Sequence, residues 1–215
     1  MAGIIALANL KGGVGKSTLA INIAGALAPK SILVDADPQS TATAWGDAGL
    51  LPFEIIPAPL SGQNVERWIA EVLSLSVPYV LIDLPPMLGD ATAAALAICD
   101  LAVVPVSPSG ADLRATNKAI ELIAQARTAR EDGRPRALLV PSKVDRRTAA
   151  GAEIEAVLHD YGEPVAPVIS QRIAHADAFT AGQWIGDYAK GTAAHNEIKA
   201  LASVIKRIID KRGKQ

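Results

Sequence analysis

Lys11-Gly12-Gly13-Val14-Gly15-Lys16-Ser17-Thr18 decides how the rest of this chain reads. An aliphatic run, Ile4 to Ala8, precedes it, and a helix-period segment, Lys16 to Leu27, follows it. A glycine-rich turn between a strand and a helix is the setting a phosphate-binding loop requires. Glycines let the backbone curl tightly and aim N–H groups inward at an anion, and the helix N-terminus adds its partial positive charge. In that arrangement Gly12, Gly13, Val14 and Gly15 form the cradle. Lys16 bridges the β- and γ-phosphates of a nucleotide, the Ser17 hydroxyl ligates Mg2+, and Thr18 reaches the α-phosphate. The competing reading, a glycine turn that binds nothing, fails against the whole eight-residue pattern.

Outward from the loop, short aliphatic runs alternate with helix-period segments. The runs are Ile4 to Ala8, Ser31 to Asp35, Tyr79 to Leu84, Leu101 to Val106, Ala137 to Pro141 and Val165 to Ile169, with Phe53 to Ile56 as an edge candidate. Helical candidates include Lys16 to Leu27, Asn64 to Leu75, Asp112 to Arg130, Ala149 to Asp160 and a last helix from Thr192 to Lys211. Strands separated by crossover helices predict an α/β fold of three layers, a mostly parallel central sheet flanked by helices. The 215 residues are half hydrophobic and only 4% aromatic, as aliphatic strands buried on both faces require, and the length suits a single domain over residues 1–215. A net charge of −1 gives no global sign of nucleic-acid binding. The lone Cys99 excludes an intramolecular disulfide and reads as a small buried hydrophobe. No signal peptide and no run of transmembrane length is visible, so a cytoplasmic protein is expected.

The loop departs from the common phosphate-loop pattern in one respect. Leu10 stands where a glycine is usual, and a second lysine, Lys11, precedes the paired glycines. This deviant Walker A pattern resembles the ParA/MinD superfamily, whose members dimerise face to face around two ATP molecules. The resemblance implies a P-loop NTPase fold, ATP and Mg2+ as ligands, and a Lys11 that reaches across to the partner's nucleotide. The absence of a helix-turn-helix segment before the first strand matches the small ParA type.

Ile32-Leu33-Val34-Asp35-Ala36-Asp37-Pro38-Gln39 ends the second strand run. Period-two spacing puts Asp35 and Asp37 on one side if the strand continues, at the carboxyl end of the sheet where α/β ligands bind. Either could instead cap the turn before Ser40. The segment is similar to the family's second motif, which implies that Asp37 orients the attacking water and Asp35 helps organise Mg2+. Tyr79-Val80-Leu81-Ile82-Asp83-Leu84-Pro85-Pro86 places a carboxylate, Asp83, at a strand tip near Mg2+. Pro85-Pro86 begins a loop that resembles the family's nucleotide-sensing switch.

Other features are weaker. The Val106-to-Asp112 segment resembles loops at the family's dimer interface, or is a plain strand-to-helix turn with Asp112 as a cap. Ser142-Lys143-Val144-Asp145 is partly similar to the guanine-reading pattern of GTPases, with Ser142 where that pattern has asparagine, so ATP is expected over GTP. Basic residues are scattered through the last third. Arg172 loosely matches a region where ParA proteins contact DNA, and Lys206 and Lys211 could extend a basic strip. His159, His175 and His195 show no metal-ligand spacing.

The resemblance thus implies a ParA-like ATPase. It would form an ATP-sandwich homodimer, bind DNA nonspecifically on the nucleoid, and hydrolyse ATP when a ParB-like or cargo-adaptor protein stimulates it. A MinD-like membrane-cycling ATPase is the alternative, because Ile205, Ile208 and Ile209 beside Lys206, Arg207 and Lys211 also fit an interfacial helix. A scaffold ATPase for protein cargo shares all of this chemistry.

Overall fold

The computed structural model describes residues 2–60 and 64–211. In chain order the elements are β1 (Gly3–Leu7), α1 (Lys16–Leu27), β2 (Ser31–Asp35), α2 (Thr41–Gly46), β3 (Glu54–Pro57), α3 (Val65–Leu73), β4 (Tyr79–Asp83) and α4 (Asp90–Ile98). Then follow β5 (Leu101–Val106), α5 (Gly110–Thr128), β6 (Arg136–Pro141), α6 (Ala149–His159), α7 (Ile173–Thr180), α8 (Ile185–Tyr188) and α9 (Ala193–Asp210). Among the described residues the strands form one six-stranded sheet in the order β3-β2-β4-β1-β5-β6. Every pairing in it is parallel, as the alternation of strands and helices predicts.

Strand alternation builds a core on each face of the sheet. Ile5 and Leu7 of β1, Leu33 of β2 and Leu81 of β4 enter one core, with α1 and α9. Ile4, Ala6, Val34, Val80 and Ile82 enter the other, with residues of α3, α4 and α5. Leu33 and Leu81 share their face with Asp35 and Asp83, which stand two residues further along each strand. The register pairs Leu7 with Asp83 and Asp35 with Asp83, so three strand tips end level. The chain runs outward from β1 in both directions, which leaves a crevice at the carboxyl end of the central strands. Ligands of open α/β sheets bind there.

α1 lies between the sheet and the C-terminal helices, and most of its residues are buried. Two of them are polar, Lys16 and Asn22. Asn22 is satisfied by donating to the Thr18 carbonyl at 2.7 Å and accepting from the Ile185 backbone N–H at 2.7 Å. Gly25 is needed for close packing, since a Cβ there would meet the Trp184 ring at 2.5 Å. α9 buries Ile198, Leu201, Ala202, Ile205 and Ile209, and its neighbours on that side include α1.

Two expectations need correction. Val165 to Ile169 is not a strand. It runs beside β6, with Ala166 and Ile169 donating to Leu139 and Pro141 carbonyls, but contributes only an isolated bridge at Val165. Pro164 and Pro167 lack the N–H groups that a continuous ladder needs. β2 ends at Asp35, so the strand does not continue to Asp37 and the period-two argument for that pair does not apply.

Candidate functional site

The loop after β1 is held open by its backbone. Gly13 has φ +81° and Gly15 φ +98°, a left-handed region where a side chain is strained. Val14 is buried and plugs the underside of the loop. Asn9, which the sequence reading did not single out, fixes its start. The Asn9 side chain donates to the Pro105 carbonyl at 2.8 Å and accepts from the Lys11 N–H at 3.0 Å. A lone asparagine after a strand carries no sequence signal for such a role.

Lys16 is buried, and its Nζ donates to the Lys11 carbonyl at 3.1 Å. Burial pushes its ammonium below the usual lysine range, while the charges of Asp83 and Asp37 pull it back. Lys16 thus lies within electrostatic reach of both Asp83 and Asp37. The Lys11 side chain projects into solvent. Ser17 and Thr18 are half-buried in the first turn of α1.

Asp83 is fully buried, and neither carboxylate oxygen accepts a hydrogen bond of good geometry among the described residues. Burial raises its carboxyl to about 7. The Ser17 hydroxyl and the Lys16 ammonium work against that rise, and Asp35 and Asp37 add to it. A buried carboxylate without partners is costly unless something charged completes it. Ser17 and Asp83 are the oxygen donors that suit Mg2+, which is commonly held by one or two protein oxygens together with substrate phosphates. No group of three or more His, Cys, Asp or Glu residues able to hold a metal exists among the described residues. A metal here would therefore depend on the phosphates.

The other two aspartates are engaged. Asp35 accepts from the Thr43 N–H at 2.8 Å, the Thr43 hydroxyl at 2.7 Å and the Asp37 N–H at 3.2 Å. Asp37 accepts from the Gln39 N–H at 2.9 Å and is buried. Asp35 thus fastens the turn that carries Asp37 and anchors α2 beneath it. The loop after β4 packs against the phosphate loop, since a Cβ on Gly12 would lie 3.8 Å from Pro86. Its Met87 and Leu88 are exposed, and the Thr92 hydroxyl ties it down through the Met87 carbonyl at 2.9 Å.

An open cleft of about 1150 Å³ extends from Gly15 and Thr18 past the segment 142–147 to Gln171 and α7. Arg172 on its rim is ion-paired, with its guanidinium 2.7 Å from Glu197 of α9. Glu197 also accepts from the Ser170 hydroxyl and N–H. Lys206 and Lys211 are exposed on the last turns of α9 and its cap, away from this pair. Arg212 and Lys214 lie outside the described residues.

A family model described as the CobQ/CobB/MinD/ParA nucleotide binding domain matches residues 5–185. The maintenance of carboxysome distribution protein A of Halothiobacillus neapolitanus is 31% identical over 209 residues, covering 94% of this chain and 95% of that protein. The chromosome-partitioning ATPase Soj of Thermus thermophilus is 32% identical over 237 residues, covering 94% of each. The solved septum site-determining protein MinD of Pyrococcus horikoshii, complexed with Mg-ADP, superposes with a TM-score of 0.76 at 19% identity over the whole of both chains. At that identity the likeness is one of fold.

Proposed function

The chain belongs to the CobQ/CobB/MinD/ParA nucleotide-binding family, and from that premise we propose that this one P-loop domain is a positioning ATPase that cycles between a monomer and an ATP-bound homodimer. The observation that carries the reading is Asp83, a fully buried carboxylate that accepts no well-formed hydrogen bond among the described residues and feels the charge of Lys16 at the phosphate loop. It is the arrangement that a magnesium nucleotide completes.

In this reading Gly12 to Gly15 and the first turn of α1 bind the phosphates. Lys16 leaves the Lys11 carbonyl and neutralises the β- and γ-phosphates. Ser17 and Asp83 would hold Mg2+, which supplies charge neutralisation when bound. Asp37 orients water for attack, and Asp35 acts through it by fixing its turn. Lys11, free in solvent, reaches the partner's nucleotide. Catalysis by such a site is mostly positioned charge. The dimer binds DNA without sequence preference and so resides on the nucleoid, until a ParB-like or cargo-adaptor protein stimulates hydrolysis. Both full-length relatives are named for positioning work, one for carboxysomes and one for chromosomes, which supports the class of function and leaves the cargo open.

The test contrasts the two lysines. Lys16→Ala should abolish ATP binding in calorimetry. Lys11→Ala should bind ATP nearly as wild type does, yet stay monomeric by light scattering and lose turnover. Equal loss of binding in both variants refutes the cross-dimer role of Lys11.

A further inference from the structure

The segment Ser142-Lys143-Val144-Asp145 is fastened to the phosphate loop on one side and to the far wall of the cleft on the other. Ser142 is buried, and its N–H donates to the Val106 carbonyl at 2.8 Å. Val144 is buried, with its N–H on the Ile169 carbonyl at 3.1 Å and its carbonyl accepting from Gln171 at 3.0 Å. Between them Lys143 adopts φ +54°, a left-handed conformation uncommon for a lysine. That turn sends its side chain back across the cleft, where Nζ donates to the Gly13 carbonyl at 2.6 Å. The next polar residue, Asp145, is fixed through its backbone, because the Thr148 N–H and hydroxyl both donate to its carbonyl, at 3.1 and 2.8 Å.

Asp145 is the only carboxylate lining this cleft among the described residues. The cleft opens at Gly15 and Thr18, so a nucleotide with its phosphates on residues 11–18 would extend its base into it. The Asp145 carboxylate is fully taken by Arg147. One oxygen accepts from the Arg147 N–H at 3.0 Å and from Nε at 2.9 Å, and the other from an Nη at 2.7 Å. The fork stands at the solvent side of the cleft, with the Arg147 side chain 90% exposed.

We infer that Asp145 and Arg147 are the base-selecting pair of the nucleotide site, with Arg147 masking a carboxylate that would otherwise read guanine. The inference rests on the nucleotide-binding function proposed above and extends it to the base. An ionised carboxylate only accepts hydrogen bonds, and it favours two parallel donors. Guanine offers such a pair, N1–H and the exocyclic N2–H. Adenine offers one donor, N6–H, beside an acceptor, N1, which a bare carboxylate repels. With both Asp145 oxygens filled by the guanidinium fork, guanine has nowhere to donate and adenine meets no exposed negative charge. Removing the fork inverts both effects, since discrimination is strongest where a wrong base leaves polar groups unpaired.

The experiment measures ATP and GTP dissociation constants by competition with a fluorescent nucleotide. The variants are wild type, Arg147→Ala, Arg147→Lys, and Arg147→Ala combined with Asp145→Asn. Wild type is expected to prefer ATP. Arg147→Ala should shift the ATP-to-GTP preference toward GTP by about tenfold or more. Arg147→Lys, with a single point donor, should fall between, and Asp145→Asn should cancel the shift. An unchanged ratio in Arg147→Ala, or a shift that survives Asp145→Asn, overturns the assignment, as does a wild type that prefers GTP. A wild type that binds neither nucleotide refutes the nucleotide-binding reading instead, so the two failures are separable.

Discussion

Burying Asp83 is a cost to the empty fold, which the proposed Mg2+ would offset. Burial lifts its folded carboxyl to about 7, against an ordinary value of 3.8. Between those two values the folded state keeps a proton that the unfolded chain has released, so stability is lost as pH rises through that window. The ligand-free protein should therefore lose stability between about pH 4 and 7, by at most about 1.4 kcal/mol for each pH unit. Thermal melts across the window measure it. Asp83→Asn should flatten that profile and raise the melting temperature above the window, while abolishing the stabilisation that Mg2+ adds to ATP. A wild-type profile that matches the variant's over this range would remove the argument. Asp37 makes the opposite kind of prediction. If it orients water as proposed, Asp37→Ala should bind ATP, dimerise and release phosphate very slowly, leaving an ATP-loaded dimer on size exclusion. Normal turnover in this variant would make Asp37 a turn residue only. At this scale the sequence located the glycine loop with Lys16 and Ser17 after β1, and Asp83 at the tip of β4, because the loop has a fixed spacing and the aliphatic run ends in a carboxylate. It could not announce Asn9, Thr43 or the fork of Arg147 on Asp145. These act through contacts made only after distant strands align, and each is a common residue in an ordinary place.

Elements show where a legible pattern stops short of a structure. The apolar spacing of α9 is plain in the sequence, yet the same spacing serves a helix that lies on a membrane and one that packs on its own domain. Burial decides between them. Ile198, Leu201, Ala202, Ile205 and Ile209 are all enclosed, Ile208 packs partly against the same core, and α1 supplies much of the wall. No helix among the described residues is long and apolar enough to cross a membrane. To lie on a bilayer, α9 would have to leave that core first. The protein should therefore stay in the supernatant when spun with anionic liposomes in ATP. Ile205→Ala should lower global stability by about 2–5 kcal/mol, as a core truncation does. ATP-dependent pelleting with liposomes, with unfolding midpoint unmoved by Ile205→Ala, would restore the membrane-cycling reading. The run 165–169 fails as a strand for an equally physical reason. Its aliphatics suit a sheet, but Pro164 and Pro167 interrupt the donors, so only part of the segment pairs with β6. Composition shows which side chains want burial, and proline spacing shows which backbones can be laddered.

The whole molecule must reconcile a net charge of −1 with the proposed hold on DNA. The answer has to lie in the distribution of charge. Arg172 is a poor starting point, since its guanidinium already meets Glu197 at 2.7 Å. Arg172→Glu would also break the tie to Glu197 at the rim of the cleft and set two carboxylates together there, so its effect on DNA could not be separated from its effect on the nucleotide site. α9 offers better candidates. Lys199, Lys206, Arg207 and Lys211 are all exposed along it. At about 1.5 Å per residue, Lys206 and Lys211 stand roughly 13 and 21 Å along the helix from Glu197. A row of that length can follow several phosphates, but one copy has little net attraction for them. In the proposed dimer the row would be doubled and its geometry fixed, so DNA binding should depend on ATP. If the dimer neutralises about six phosphates, affinity should fall by roughly three decades between 50 and 200 mM salt, equally on unrelated duplexes. Lys206→Glu with Lys211→Glu should weaken binding and flatten the salt slope while leaving ATP-driven dimerisation intact, because both residues lie far from the phosphate loop. Anisotropy titrations at several salt concentrations measure both quantities. A dimer that assembles normally with ATP yet ignores DNA at low salt would refute the DNA step and point to a protein surface as the track on which the ATPase works.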